Sequence, residues 1–438
     1  MSSLETQLPS DWDFGPIEPH IDFLTGPAFD SKRFTDDDNG IRLARGINIT
    51  TGTMRWGKSI TQYWPKLTSD VARYQLAEND ILIGMDGSKV GKNYAYLQTE
   101  DVPSLLVQRV ARLRTDEELV PRFLYYFIAS DFWISHVESV KTASAIPHIS
   151  NGDIKHFEIA KPNPPEQRKI ARILTTLDNL IEKTEALIAK YQSIKQGMMH
   201  DLFIRGVDES GRLRPTHEQA PDLYKQSELG WIPKEWEAVT LGDELKQIEQ
   251  GWSPDCDSIP PKVGQWGVLK TTAVLWEGYN DQGSKVLPPH LEPRPEYEVK
   301  VGDILMTRGG PNSRVGVVSY VYNTQAQLML SDKLYRIIPN DSFVPEYLSL
   351  ALSSDATQIY LSSLKTGLAE SQTNISQAIV RRLKVLRPQP TEQTEIARQI
   401  RSTAQIIQRE NRLLQKRLHN KQGLMQDLLT GKVRVKVG

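Results

Sequence analysis

The 438-residue chain has a single cysteine, Cys256, so it forms no intrachain disulfide and no multi-cysteine zinc site. It has no run of about 18 apolar residues, which excludes a hydrophobic spanning helix. Met1-Ser2-Ser3-Leu4-Glu5 lacks the basic and apolar regions of a signal peptide, so a cytoplasmic location is expected. Charge of one sign is also missing overall, at a net −1. Catalytic signatures fail one by one. Asn163-Pro164-Pro165 starts like the Asn-Pro-Pro-aromatic motif of amino-methyltransferases but continues with Glu166. Gly87-x-x-x-Gly91-Lys92-Asn93 has the wrong spacing and last residue for a phosphate loop. His217-Glu218 lacks the second histidine of a zinc protease, and Pro254-Asp255 with Glu298-x-Lys300 is too widely spaced for a nuclease. No metal site, cofactor or catalytic residue is expected in this chain.

What is present is a repeat. Leu8-Pro9-x-x-Trp12 matches Ile232-Pro233-x-x-Trp236, Asp80-Ile81-Leu82 matches Asp303-Ile304-Leu305, and Ile149-Ser150 matches Ile375-Ser376, at offsets of 223 to 226. Residues 165–203 align without gaps to 391–429, with 14 of 39 positions identical. The repeat is compatible with a duplicated scaffold or with a pseudo-two-fold molecule facing a two-part target.

Each repeated segment follows prolines (Pro162, Pro164 and Pro165; Pro388 and Pro390) and lacks internal breakers other than one glycine. Apolar or small residues recur at heptad steps at Ile170, Leu174, Leu177, Ile181, Thr184, Ile188, Tyr191, Met198 and Leu202. The second seam is read through Ile396, Ile400, Ala404, Ile407, Asn411, Leu414, Leu418, Met425 and Leu428. Two helices of about 57 Å are expected to pair, with Asn411 fixing their register; a homo-oligomeric coiled coil is the alternative.

The parts before the helices read as mixed α/β. Strands are expected at 80–83 and 90–97 around a tip at 84–89, and at 303–306 and 315–321 around a tip at 307–314. Ser88, Lys89, Lys92, Arg308, Asn312, Ser313 and Arg314 lie on or beside these tips, a residue set suited to phosphates and base edges. Lys141 and His148, with Lys365 and Asn374, occupy matching segments later in each half. Arg45, Asn48, Lys58 and Lys270 complete the candidates, in regions where basic residues interleave with Trp56, Trp64, Trp266 and Trp276. Plain solvated hairpins and core aromatics are the competing reading. Charge is uneven: residues 1–160 carry 16 basic and 22 acidic groups, and residues 389–438 carry 10 and 4. Binding to phosphates therefore calls for a patterned face and a basic partner.

The order of parts, together with Pro165-x-Gln167-x-x-Ile170-Ala171-x-Ile173-Leu174, Gln196-Gly197-Met198-Met199-x-Asp201-Leu202, Glu228-Leu229-Gly230-Trp231-Ile232-Pro233-x-x-Trp236 and Gln422 to Gly431, resembles the specificity subunits of type I restriction–modification enzymes. The resemblance spans nearly the whole chain and is strongest in the helices and linker. It implies an α+β chain with two target-recognition domains (1–160 and 233–388), two long helices (161–204 and 389–430) forming an antiparallel coiled coil, a linker (205–232) and a tail (431–438). It further implies that each domain reads half of a split double-stranded DNA site in the major groove. The helices would set the spacer and dock two methyltransferase subunits. Separate restriction subunits would complete the assembly, with S-adenosylmethionine, ATP and Mg bound by those partners. A coiled-coil scaffold that touches only proteins is the alternative, and sequence-specific DNA binding would separate the two.

Overall fold

Four of the eight α-helices among the described residues open on proline and the other four follow a serine. Proline is pre-set for a first turn, where an N–H has no helical partner to lose. Three of the serines cap the helix they precede, Ser150, Ser354 and Ser376, each accepting a hydrogen bond from a first-turn N–H. The helices are α1 (Pro121–Ile128), α2 (Asp131–Val140), α3 (Asn151–Lys155), α4 (Pro164–Ile204), α5 (Pro345–Leu352), α6 (Asp355–Leu364), α7 (Gln377–Arg381) and α8 (Pro390–Leu429). This computed structural model describes residues 8–143, 147–367 and 373–436. The opening Met1–Glu5 segment and the last two residues of the tail lie outside them.

The chain forms two compact units, Met1–Ala186 with Arg412–Gly438 and Leu187–Asn411. This division differs from the sequence boundaries, because it cuts each long helix between the units. The reason is burial. In the first unit Ile170, Ala171 and Leu174 of α4 share one apolar core with Met425, Leu428 and Leu429 of α8 and with Trp12, Phe123 and Trp133. In the second, Leu202 and Phe203 of α4 share a core with Ile396, Ala397 and Ile400 of α8 and with Trp236 and Tyr347. Covering an apolar helix stripe with a domain's own core stabilises both.

Each unit repeats one topology. In the first, a five-stranded sheet runs in the order Ile21–Thr25, Val110–Thr115, Ile81–Gly84, Tyr94–Tyr96, Thr51–Gly52. Beside it, Ile41–Ala44 pairs antiparallel with Tyr63–Trp64 and parallel with Ser104–Leu106. In the second, the larger sheet runs Leu245–Gln250, Leu334–Pro339, Ile304–Thr307, Val318–Tyr320. Again Gly267–Leu269 pairs antiparallel with Ser284–Val286 and parallel with Leu328–Met329. The strands after each tip start later than the pattern suggested, at Tyr94 and Val318. The left-handed Gly91 and Gly316 hold the preceding residues out of the ladder.

The two long helices run antiparallel within each unit. In the first, Asp178 pairs with Lys421 at 2.6 Å and Arg417 donates to the Leu180 carbonyl and to Thr184. In the second, Thr403 meets Met198 at 3.4 Å and Glu392 accepts from the Val207 N–H at 2.9 Å. Of the expected pairing residues, Ile170, Leu174, Ile181, Ile188 and Ile400 are buried, and Leu177, Tyr191, Ile407 and Leu414 are half-buried. Asn411 and Leu418 are exposed, and this corrects the expected register of α8. The inward positions are Thr403, Glu410 and Arg417, one residue earlier in each heptad. Asn411 instead donates to the Ile407 carbonyl of its own helix.

Candidate nucleic-acid interface

Three separate backbone segments meet at the tip of the main hairpin in the first unit. Asp86 bridges His148, the Gly87 N–H donates to the Pro147 carbonyl at 3.0 Å, and the Ile149 N–H donates to Met85 at 3.0 Å. From the other side, the Met85 N–H donates to the Arg109 carbonyl at 3.0 Å. The second unit builds the same junction from different residues. Gly309 pairs with Asn374 and Gly310 with Thr373, the Ile375 N–H donates to Arg308, and the Arg308 N–H donates to the Lys333 carbonyl. So hairpin tip, return loop and a cationic turn (Arg109 or Lys333) form one platform in each unit.

Arg109 and Lys333 were not among the sequence candidates. Arg109 adopts φ +66°, uncommon for a non-glycine residue, and its exposed guanidinium stands 3.6 Å from Asp86. Lys333 is exposed and 3.7 Å from Asp332. The signal was in the repeat: the two residues are 224 apart, within the offset of the other matches.

The sequence candidates separate into two groups. Ser88, Lys89 and Lys92 are exposed on the first tip, and Asn312, Ser313 and Asn374 on the second platform. His148 is half-buried on the first platform, its N–H donating to Thr142 at 3.0 Å. Lys141 is paired with Glu138 at 2.6 Å, and Lys58 is exposed away from these backbone junctions in sequence. Arg308 is half-buried, lies 5.4 Å over the Tyr335 ring and donates to the Asp332 carbonyl at 3.2 Å. Arg314 donates to the Thr271 carbonyl at 3.4 Å, beside half-buried Lys270. Burial lowers the pKa of Lys365. Asn48 leaves the candidate set because it is fully buried, with its amide spent on the Arg45 N–H and the Arg55 carbonyl. Arg45 donates to the Ile60 carbonyl at 2.5 Å, and burial lowers its pKa, so it holds its own loop.

Two tryptophans expected near nucleic acid are part of the framework. Trp64 is buried under Arg33, and Trp56 donates to Asp101 at 2.8 Å beneath Arg42. Trp276 is exposed and, with His217, Trp231, Leu229 and Tyr360, lines an open cleft of about 1190 Å³ in the second unit. His217, part of the failed zinc-protease match, stacks on Trp231 at 4.1 Å. Among the described residues no cluster of His, Cys, Asp and Glu is arranged to hold a metal, and no helix is long and apolar enough to cross a membrane.

Comparison with known proteins gives this arrangement a family. Residues 9–191 match the type I restriction modification DNA specificity domain. The chain is 45% identical over 159 residues to the EcoEI specificity subunit of Escherichia coli, which covers 36% of this chain and 27% of that protein. It is 26% identical over 433 residues to the MjaVIII specificity subunit of Methanocaldococcus jannaschii, covering 92% and 95% of the two chains. The crystal structure of the type I restriction–modification S subunit from M. genitalium shares the fold at a TM-score of 0.61 and 17% identity, over 98% of each chain. Half of the first relative's length and more lies outside its alignment, whereas the second is matched almost end to end. Residues 9–191 thus carry the type I restriction modification DNA specificity domain, and the chain as a whole is similar to type I restriction–modification specificity subunits.

Proposed function

We propose that this chain is the non-catalytic DNA reader of a type I restriction–modification complex, with recognition domains at 1–160 and 233–388 that each read one half of a bipartite site in the major groove. The observation that carries this reading is the twinned platform, built at equivalent positions from unlike side chains. His148 in one half stands where Asn374 stands in the other, and Asp86 where Gly309 stands. A constant backbone bearing different side chains suits two readers with different targets.

The long helices form the spacer between half-sites as an antiparallel coiled coil and dock two methyltransferase subunits. The exposed aromatic cleft beside Trp231 supports a protein-contacting role for the helix surface. Restriction subunits join this core, and S-adenosylmethionine, ATP and Mg belong to the partners. The acidic first half fits a reader that relies on basic partners for phosphate contacts. The complex works in the cytoplasm.

The test is a methylome. The chain is produced with the methyltransferase encoded beside it in a methylation-free host, and modified bases are mapped by single-molecule sequencing. A split motif with modified adenine on both strands, lost when this chain is omitted, is the expected result. No chain-dependent motif, from an active partner and a folded chain, favours the protein-binding scaffold instead.

A further inference from the structure

Each unit carries a latch that the repeat does not announce. In the first unit Arg434, just past α8, donates to both oxygens of Glu166 at 2.8 and 2.9 Å and to both oxygens of Asp11 at 2.8 Å. Its guanidinium also lies 5.7 Å over the Trp12 ring. Glu166 is the buried first-turn acid of α4, and Asp11-Trp12 leads into the first strand of the domain. One side chain therefore ties the domain's entry, the start of one helix and the end of the other.

The second unit repeats the device. Arg214, past the end of α4, forks onto Glu392 in the first turn of α8 and lies 3.8 Å from Glu235. Trp236 donates to the same carboxylate at 2.9 Å. Both turns that return the chain to the latch hinge on a left-handed glycine with no room for a side chain. A Cβ on Gly206 would meet Glu392 at 2.1 Å and Trp236 at 2.3 Å, and one on Gly431 would meet Pro9 at 2.7 Å.

We propose that Arg434 and Arg214 are positioning residues that hold each recognition domain at one angle to the helix pair, so that discrimination between spacer lengths rests on the two latches. The proposal depends on the reading of the chain as a two-part DNA reader. A planar fork bonded to a carboxylate through two nitrogens fixes direction as well as distance, which a lysine point charge does not. A domain free to tilt would still read its bases but would accept half-sites at neighbouring separations.

The test uses the full chain in complex with its methyltransferase. Binding is measured by competition on duplexes whose spacer is lengthened or shortened by one or two base pairs. Arg434→Lys and Arg214→Lys are each expected to lower the preference for the correct spacer by about tenfold, the loss of one charge-assisted hydrogen-bonding fork. Base preferences within both half-sites stay unchanged. Asp11→Asn, at a side chain 58% exposed, keeps the test open should Arg434→Lys fail to assemble, and is expected to act in the same direction. An unchanged spacer preference in an assembled variant, or lost base preference at a half-site, overturns the proposal. A wild-type complex that binds no split site overturns the two-reader function itself and the latch role with it.

Discussion

Gln167 and Gln393 are fully buried, and each makes the same three hydrogen bonds in its own unit. The oxygen accepts from the N–H of Val120 or Val344, while the amide donates to Glu118 and Pro162 or to Ser342 and Pro388. Either glutamine changed to alanine strands buried backbone groups, so unfolding measurements should show a loss of about 2–4 kcal/mol. At the platform, Lys333→Ala should reduce the slope of log affinity against log salt by about one while leaving the first half-site's sequence preference intact; an unchanged slope places Lys333 off the DNA. Hydrogen bonds from Arg398 and Gln399 hold Glu395 down at about 2, below its ordinary 4.5. Its contribution to stability is therefore complete above pH 4.5 and fades as pH falls toward 2. Urea midpoints of wild type and Glu395→Gln should converge over that interval, and a pH-independent difference rules out the ion pair as the cause. The exposure of the tips was legible because tips advertise themselves through glycine and charge. Burial of Asn48 was not, since a polar residue that caps its own loop looks the same in sequence as one offered to a ligand.

At the scale of elements, proline starts made the long helices readable, and α4 and α8 span 41 and 40 residues. The seam of α8 was misread for a specific reason. Aligning the two repeats without gaps places Leu177, Thr184 and Tyr191 opposite Thr403, Glu410 and Arg417. Ala404, Asn411 and Leu418, one position later, carry the apolar and register-setting side chains that sequence periodicity favours. Glu410 is only 7% exposed, whereas its neighbour Asn411 faces solvent. Glu410 pairs at 3.0 Å with Arg409, whose side chain is exposed and stays hydrated once the carboxylate is gone, so an apolar replacement in the seam leaves no buried charge behind. Glu410→Leu should therefore leave unfolding stability equal or raise it by about 1–2 kcal/mol, with little change for Asn411→Leu. The reverse ranking in thermal melts favours a seam through Asn411 and Leu418. The strand starts at Tyr94 and Val318 escaped prediction because left-handed glycine geometry, not hydrophobic alternation, decides them.

For the whole molecule, the duplication was the most legible feature, and the mixed α/β reading rested on the strand and helix patterns within each half. What duplication could not convey is that each unit completes itself with half of the other repeat's helix. If the helices set the spacer, four residues added after Thr184 and four more at the facing level of α8 lengthen the pair by about 6 Å. That is about two base pairs of duplex, at 3.4 Å each. The methylated motif should then carry a spacer longer by about two base pairs and unchanged half-sites, and an unaltered spacer argues against the helices as its measure. The division of units also bears on synthesis. The core that holds Ile170 and Leu174 is closed by Met425 and Leu428, so the first unit waits on the ribosome while Leu187–Asn411 is made. At about 5–20 residues per second that delay is roughly 10–45 s. During it an unfinished apolar surface is available to chaperones, and a premature stop late in the message damages the domain translated first.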